Sequence, residues 1–156
     1  DREPRCRSVN PHELAQSICD SLSPQLIAQN VSAQIDMPTT QQMWVDRDML
    51  RRAILNLVLN AIDAMPNGGQ LTVAFRQNTD SDELKVIDTG EGIKEEAKSR
   101  LFEPFFTTKS NGTGLGLAIV YRITEAHGGE VVCGNNSTGG TEFTLRFPKY
   151  PAEAQS

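Results

Sequence analysis

The stretch that decides the fold is Asp46–Met65, DRDMLRRAILNLVLNAIDAM. Its apolar side chains recur three and four residues apart, which is the period of a helix with one buried face. These apolar positions are Met49, Leu50, Ala53, Ile54, Leu57, Val58, Ala61, Ile62 and Met65. Asp46 is a suitable N-cap, and the turn sequence PNGG at 66–69 ends the helix. The stretch therefore predicts an amphipathic helix that packs along the core.

The remaining chain alternates predicted helices and strands. Leucine and isoleucine at four-residue spacing predict a helix within 9–30, and a third helix is predicted over 115–127, closed by a glycine pair. Alternating or short apolar runs predict strands at 31–35, 71–75, 84–87, 131–133 and 142–147. We expect an α+β two-layer sandwich, in which a mixed, largely antiparallel sheet is covered on one face by three helices.

Charge and composition exclude several classes of function. The chain has 156 residues, of which 15 are basic and 20 acidic, for a net charge of −5. A nucleic-acid partner is disfavoured because the densest basic cluster is only Arg2, Arg5 and Arg7. No apolar run approaches the roughly 18 residues that span a bilayer, so we expect no membrane insertion. The three cysteines are widely spaced, which predicts small hydrophobic side chains in a reducing cytoplasm.

The length is that of one domain. Residues 1–8 are charged and lack the apolar core of a signal peptide, so we expect a frayed N-terminal linker there. The folded domain is expected over 9–148, and residues 149–156 are expected to form a C-terminal tail.

Three polar residues interrupt the apolar helix. Asn56, Asn60 and Asp63 stand at i, i+4 and i+7, so they project from one side of it. A single helical asparagine usually faces solvent, but three polar residues on one stripe favour a binding role. Amide oxygens suit a hard cation such as Mg²⁺.

Two glycine-rich segments follow. Asp88-Thr89-Gly90-Glu91-Gly92-Ile93 ends an apolar strand, where a carboxylate can accept a hydrogen bond from an exocyclic amine; alone, the pattern is also typical of an ordinary turn. The segment GTGLGL at 112–117 runs into a helix, whose N-terminal N–H groups suit phosphate. It is neither a dinucleotide fingerprint nor a P-loop, since position 117 is leucine and no Gly-Lys pair occurs.

Between them lies FEPFFTTK at 102–109, which contains three of the six phenylalanines. Loop aromatics of this kind either pin a loop to the core or belong to a mobile lid. Lys109 would then bring positive charge to a phosphate.

The order of these four segments resembles the catalytic ATP-binding domain of two-component sensor histidine kinases, the HATPase_c domain of the GHKL superfamily shared with gyrase, MutL and a heat-shock chaperone. The resemblance runs from about residue 9 to residue 147. The form Asn-Ala-x-Asp-Ala at 60–64 is similar to the subgroup of nitrogen-regulatory kinases. The resemblance as a whole implies the Bergerat fold with an ATP lid, and the cofactors ATP and Mg²⁺.

The resemblance also implies roles for individual residues. Asn60 matches the Mg²⁺-coordinating asparagine, Asp88 matches the aspartate that reads the adenine amino group, and Thr141 matches a strand threonine near adenine. Asn56, Asn60 and Lys109 would be catalytic. Asp63 departs from the lysine or arginine common at its position. The implied ATP-binding residues are Asn56, Asn60, Asp63, Ala64, Asp88, Gly90, Gly92, Ile93, Phe102, Thr107, Thr108, Lys109, Gly112, Thr113, Gly114, Leu115, Gly116, Leu117 and Thr141.

A chemical argument separates kinase from hydrolase. ATPases of this superfamily place a glutamate four residues before the metal asparagine, to take a proton from water. Here that position is Asn56, and a neutral amide cannot do so. A histidine acceptor needs no such base, because a neutral imidazole with a pKa of about 6.5 already offers a lone pair. The residues therefore favour phosphoryl transfer to histidine.

The acceptor is not expected in this chain. His12-Glu13-Leu14 is similar to the phosphoacceptor motif, but Ala15 and Ser17 replace its arginine and proline. His127 is expected at a helix C-terminus, where an imidazolium would complement the helix dipole.

The implied partners are a dimerisation and phosphoacceptor domain of the same kinase and a response regulator. This chain alone is expected to be monomeric and cytoplasmic, and membrane anchoring of the parent protein is left open. Two alternatives remain: a degenerate nucleotide-binding or interaction module without transfer, and a serine kinase of the anti-sigma type.

Overall fold

A computed structural model describes residues 2–104, 106 and 116–149. The chain forms, in order, β1 (Arg7–Val9), α1 (Pro11–Ser21), α2 (Ser23–Ala28), β2 (Val31–Asp36), β3 (Met43–Val45), α3 (Arg47–Asp63), β4 (Gly69–Gln77), β5 (Ser81–Asp88), α4 (Glu95–Lys98), α5 (Gly116–Ala126), β6 (Glu130–Asn135) and β7 (Thr141–Pro148).

The main sheet has five strands in the order β2-β4-β5-β7-β6. The pair β2–β4 is parallel and the other three pairs are antiparallel, so the predicted mixed, largely antiparallel sheet is confirmed. One face is apolar and buried beneath the helices; Val73, Val86 and Phe143 lie side by side on it. The other face is polar, and Arg146 forms ion pairs there with Glu83 at 2.6 Å and Glu130 at 2.8 Å.

Helix α3 supplies the centre of the core, as its apolar period predicts. Asp46 is its N-cap and accepts a hydrogen bond from the N–H of Met49 at 3.1 Å. The side chains that it buries are Leu50, Ala53, Ile54, Leu57, Val58, Ala61 and Ile62. The helix packs against β4, β5 and α5.

The predicted first helix is divided in two. Helix α1 begins as expected, with Asn10 accepting from the N–H of Glu13 at 3.1 Å and Pro11 in the first turn. It ends at Ser21, and α2 starts at Ser23 with Pro24 in its own first turn. Proline has no N–H to continue the hydrogen-bond ladder, so the helix restarts at this point.

The N-terminal segment differs from the expected frayed linker. Strand β1 pairs with β3, a strand too short to be predicted, and places Val9 opposite Met43. Asp46 binds the segment further, with the Arg2 guanidinium at 2.6 Å and the N–H of Arg5 at 2.8 Å. The expected fraying is therefore wrong for residues 2–8. These residues supply the donors that the buried carboxylate of Asp46 needs, and they pair with β3. At the other end, Lys149 pairs with Asp82 at 3.1 Å, and residues 150–156 lie outside the described part.

His127 differs from expectation as well. It is buried, its Nδ1 donates to the carbonyl of Ile123 at 2.8 Å, and its Nε2 accepts from the N–H of Asp46 at 3.1 Å. A ring nitrogen that accepts a hydrogen bond must keep its lone pair, so this geometry assigns the neutral tautomer. Burial lowers the pKa of His127, although the hydrogen bond to Ile123 and the charge of Asp46 oppose that shift. The expected imidazolium is therefore replaced by a neutral link between α5 and α3.

Candidate functional site

The polar face of α3 meets the beginning of α5. Asn56 and Asn60 are half-buried, and Asp63 is exposed at the end of the helix. A methyl group placed on Gly116, the first residue of α5, would lie 3.7 Å from Oδ1 of Asn56. The N-terminal end of α5, with its N–H groups and positive dipole, therefore faces the asparagine side of α3.

Asp88 lies at the end of β5 and is only 2% exposed. Its Oδ1 accepts hydrogen bonds from the N–H of Gly90 at 2.9 Å and the N–H of Thr141 at 3.1 Å. The structure thus brings together Asp88, Gly90 and Thr141, which the resemblance assigned to one site. The two N–H groups hold the carboxylate in one orientation.

Gly90 connects this loop to α3. A methyl group on Gly90 would collide with the carbonyl oxygen of Ala64, which follows the last turn of the helix. The N–H of Ala64 in turn donates to the carbonyl of Asn60 at 3.1 Å. Only a residue without a side chain permits this approach, so the first glycine of the segment is required by packing. The Asp88 loop and the asparagine face therefore adjoin each other.

Gly92 and Ile93 lie against the hairpin between β6 and β7. Gly92 has a φ of +77°, and a methyl group on it would collide with the carbonyl oxygen of Gly139. The N–H of Ile93 donates to Oδ1 of Asn135 at 3.2 Å. Ile93 is half-buried and packs against the core.

Sequence reasoning missed the contribution of that hairpin. Asn136 donates through Nδ2 to the main-chain oxygen of Asp88 at 2.8 Å, and Gly140 passes so close to the same oxygen that it has no room for a methyl group. The only signal was a pair of asparagines before Ser-Thr-Gly-Gly, which is typical of any turn.

The phenylalanine segment begins pinned to the core. Phe102 stacks on Tyr121 with ring centroids 6.1 Å apart and meets the edge of Phe143 at 6.2 Å. Phe106 is half-buried, with the Arg100 guanidinium 4.6 Å from its ring centroid. The contacts of Phe102 therefore agree with the pinning interpretation, whereas the contact of Phe106 lies within the segment itself. Leu117 is half-buried against the core. The other predicted residues here lie outside the described part: Thr107, Thr108, Lys109, Gly112, Thr113, Gly114 and Leu115.

Cys133 lies on β6, and the charges of Lys98 and Asp88 both affect its thiol. Burial raises the pKa of its thiol to about 11, the charge of Lys98 opposes the shift, and the charge of Asp88 adds to it. The thiol is therefore protonated and unreactive near neutral pH. None of the three cysteines forms a disulfide.

The described ranges hold no cluster of three or more His, Cys, Asp or Glu side chains suited to a metal. In the same ranges, no helix is both long enough and apolar enough to cross a bilayer.

Comparison with known proteins gives a consistent result. Residues 45–151 match the family described as histidine kinase-, DNA gyrase B- and HSP90-like ATPases. Sporulation kinase A of Bacillus subtilis is 39% identical over 104 residues, 67% of this chain and 17% of that protein. The sensor histidine kinase ZraS of Escherichia coli is 39% identical over 110 residues, 70% of this chain and 24% of that protein. The chain thus spans less than a quarter of these relatives.

Solved structures agree with this. The catalytic domain of the histidine kinase ThkA superposes with a TM-score of 0.86 at 29% identity, covering 94% of this chain and 99% of that one. ThkA has also been solved in complex with the response regulator TrrA; there the TM-score is 0.82 at 26% identity, with 95% of this chain and 43% of that one covered.

Proposed function

Because the chain belongs to the histidine kinase-, DNA gyrase B- and HSP90-like ATPases and is the ATP-binding catalytic domain of a sensor histidine kinase, we propose that it binds Mg-ATP and transfers the γ-phosphoryl group to a histidine on a separate domain. The orientation of Asp88 is the observation that carries this proposal. Its carboxylate is held by two main-chain N–H groups, so it is preorganised to accept a hydrogen bond from the amino group of adenine.

The residues on α3 fit Mg²⁺. Mg²⁺ prefers oxygen ligands and keeps several waters beside substrate phosphates, and the half-buried Asn60 offers an amide oxygen on the side of α3 that faces α5. Asn60 would hold the ion through its amide oxygen. When bound, Mg²⁺ would shield the negative charge of the phosphates.

The surroundings of Asn56 favour transfer over hydrolysis. The first turn of α5 faces Asn56, so its free N–H groups and dipole would bind the phosphate chain. Asn56 is a neutral amide and cannot take a proton from water, which leaves this position without the base that hydrolysis needs. The chain's part in the reaction is therefore to hold the γ-phosphoryl group in line for an incoming nucleophile. Lys109, in our proposal, adds positive charge there.

Neither histidine of the chain suits the role of acceptor. His127 is 4% exposed and uses both ring nitrogens in hydrogen bonds. His12 belongs to the first turns of α1 and lacks the arginine and proline expected after a phosphoacceptor. We therefore propose that the acceptor lies on a dimerisation domain of the same kinase, in the cytoplasm, and that a response regulator receives the phosphoryl group next. The complex of ThkA with TrrA supports the second step.

Calorimetric titration with ATP, with and without Mg²⁺, tests the nucleotide site. We expect saturable binding that Asp88→Asn weakens about tenfold or more, because an amide presents an N–H₂ group where the carboxylate accepts. Asp82→Asn is the matched control. It makes the same change in a buried aspartate on the same face of β5, at the opposite end of the strand, and should leave ATP affinity unchanged. Equal affinity in the wild type and Asp88→Asn would refute the adenine-reading role.

Transfer is tested by adding labelled ATP and the dimerisation domain of the parent kinase. The expected product is an acid-labile phosphohistidine on that domain. A phosphoryl group stable to mild acid would indicate a serine kinase instead. Absence of ATP binding by the full-length parent would indicate a degenerate module.

A further inference from the structure

We infer that Asn135 and Asn136 are positioning residues that hold the Asp88–Ile93 loop against Thr141 and thereby set the preference for adenine over guanine. The inference rests on the proposed function, because it assumes that Asp88 reads a purine. It concerns the β6–β7 hairpin, which lies outside the four segments that carry the resemblance.

Asn136 joins the hairpin to the beginning of the loop. Its Oδ1 accepts from the N–H groups of Thr138 and Gly140, both at 3.0 Å, which closes the hairpin turn. Its Nδ2 donates to the main-chain oxygen of Asp88 at 2.8 Å, which lies on another strand. A residue that only formed the turn would need the first two bonds. The third bond has no part in the turn and instead fixes the peptide that carries the Asp88 side chain.

Asn135 holds the far end of the same loop. Its Oδ1 accepts from the N–H of Ile93 at 3.2 Å, and its Nδ2 donates to the carbonyl of Ile93 at 3.4 Å. Its own main chain pairs with Thr141 in the sheet. The loop between Asp88 and Ile93 forms no strand or helix, so these side-chain bonds replace the ladder that would otherwise fix its ends.

The position of the hairpin bears directly on base recognition. Thr141, the first residue of β7, donates its N–H to the Asp88 carboxylate, and Gly140 before it touches the Asp88 main-chain oxygen. Adenine carries an amino group where guanine carries a carbonyl oxygen, so a fixed carboxylate attracts one base and repels the other. A site that hydrogen-bonds one substrate rejects its analogue strongly only while the acceptor is held in place.

The decisive variant is Asn136→Asp. Aspartate keeps the side-chain oxygen that closes the turn and is itself a favoured turn residue, but it loses the Nδ2 donor to Asp88. The matched control is Asn78→Asp. It makes the same change, including the added charge, in the turn between β4 and β5 at the opposite end of the sheet.

The readout is the ratio of the GTP and ATP dissociation constants. We expect Asn136→Asp to weaken ATP binding about tenfold, the size expected for one lost hydrogen bond with an acceptor left unpaired, and to weaken GTP binding less. The ratio should therefore fall several-fold. ATP and GTP carry the same phosphate charge, so the effect of the added charge on the phosphates cancels in the ratio. Its effect on the base would favour the amino group of adenine over the carbonyl of guanine, which opposes the expected fall. Asn78→Asp should keep the wild-type ratio.

The outcomes separate this inference from the proposed function. If the wild type binds no ATP, both fail. If Asp88→Asn weakens binding while Asn136→Asp keeps the wild-type ratio, only the inference is overturned. Thermal melting reports whether Asn136→Asp is folded. If it is not, Asn135→Ala replaces it, because that variant leaves the turn bonds of Asn136 intact. A wild-type ratio in Asn135→Ala would then overturn the inference.

Discussion

Acidification should destabilise this domain through His127. The neutral ring accepts a hydrogen bond from the N–H of Asp46 and donates one to the carbonyl of Ile123. It also packs edge-to-face with Phe147, with ring centroids 5.3 Å apart. Protonation would place a second ring proton against the N–H of Asp46 inside the core. The folded protein therefore resists protonation of this residue, and burial lowers the pKa of His127 below its ordinary 6.5.

The sign and size of this change in the free energy of unfolding follow from proton linkage. Below about pH 6.5 the unfolded chain binds a proton on this histidine that the folded chain does not, so the stabilisation is complete above that pH and is lost as the pH falls. One proton changes the free energy of unfolding by at most about 1.4 kcal/mol per pH unit. Asp46 does not contribute in this range. Burial would raise its pKa, but hydrogen bonds from Arg2, Arg5 and Met49 hold it at about 2.

Urea unfolding followed by the fluorescence of Trp44, the single tryptophan, measures the effect. Between about pH 7.5 and about pH 5.5 we expect the free energy of unfolding to fall by up to about 1.4 kcal/mol. His12→Asn removes the other histidine and should keep this dependence. His127→Leu should be less stable at neutral pH, and its stability should no longer depend on pH in this range. A wild type equally stable at both pH values, or an unchanged dependence in His127→Leu, would refute the reasoning.

Three further predictions concern the site and its support. Asn60→Ala should abolish the Mg²⁺ dependence of ATP binding, measured by calorimetry with and without chelator; retained dependence would place the metal elsewhere. Gly90→Ala should cost about 1–3 kcal/mol of stability, because its methyl group meets the carbonyl of Ala64. Gly134→Ala is its control, since a methyl group there meets nothing within 4 Å, and equal urea midpoints would contradict the packing argument. Asp46→Ala should lower stability by about 2 kcal/mol by removing a helix cap that also binds Arg2, whereas Asp48→Ala in the exposed first turn should not.

Local periodicity was sufficient to predict most of the fold. In α3 and in strands β4 and β5, the apolar positions show which face of the element is buried, because each side chain's face follows from its position in the element. Strand β3 was missed because three residues carry no measurable period. The break between α1 and α2 was missed because the apolar spacing continues across Pro24, although the hydrogen-bond ladder cannot.

The residues of the candidate site likewise include some that the sequence predicts and some that only the structure reveals. Asn56, Asn60 and Asp88 could be predicted as candidate site residues because residue chemistry and order along the chain are properties of the sequence. The contacts of Asn135 and Asn136 with the Asp88–Ile93 loop could not be predicted, since a turn-forming asparagine and one that also binds another strand have the same sequence signal.

The sequence by itself determined the main helices and strands, the order of the four segments and hence the family, because these depend on residue type and spacing along the chain. Only the tertiary structure decided the contacts between distant segments: Asn136 with Asp88, Gly90 with Ala64, and His127 with Asp46. The physical reason is that a buried polar group takes its protonation state and its role from partners brought to it by folding. His127 shows this most clearly, because its position at a helix end predicted a cation and its buried partners make it neutral.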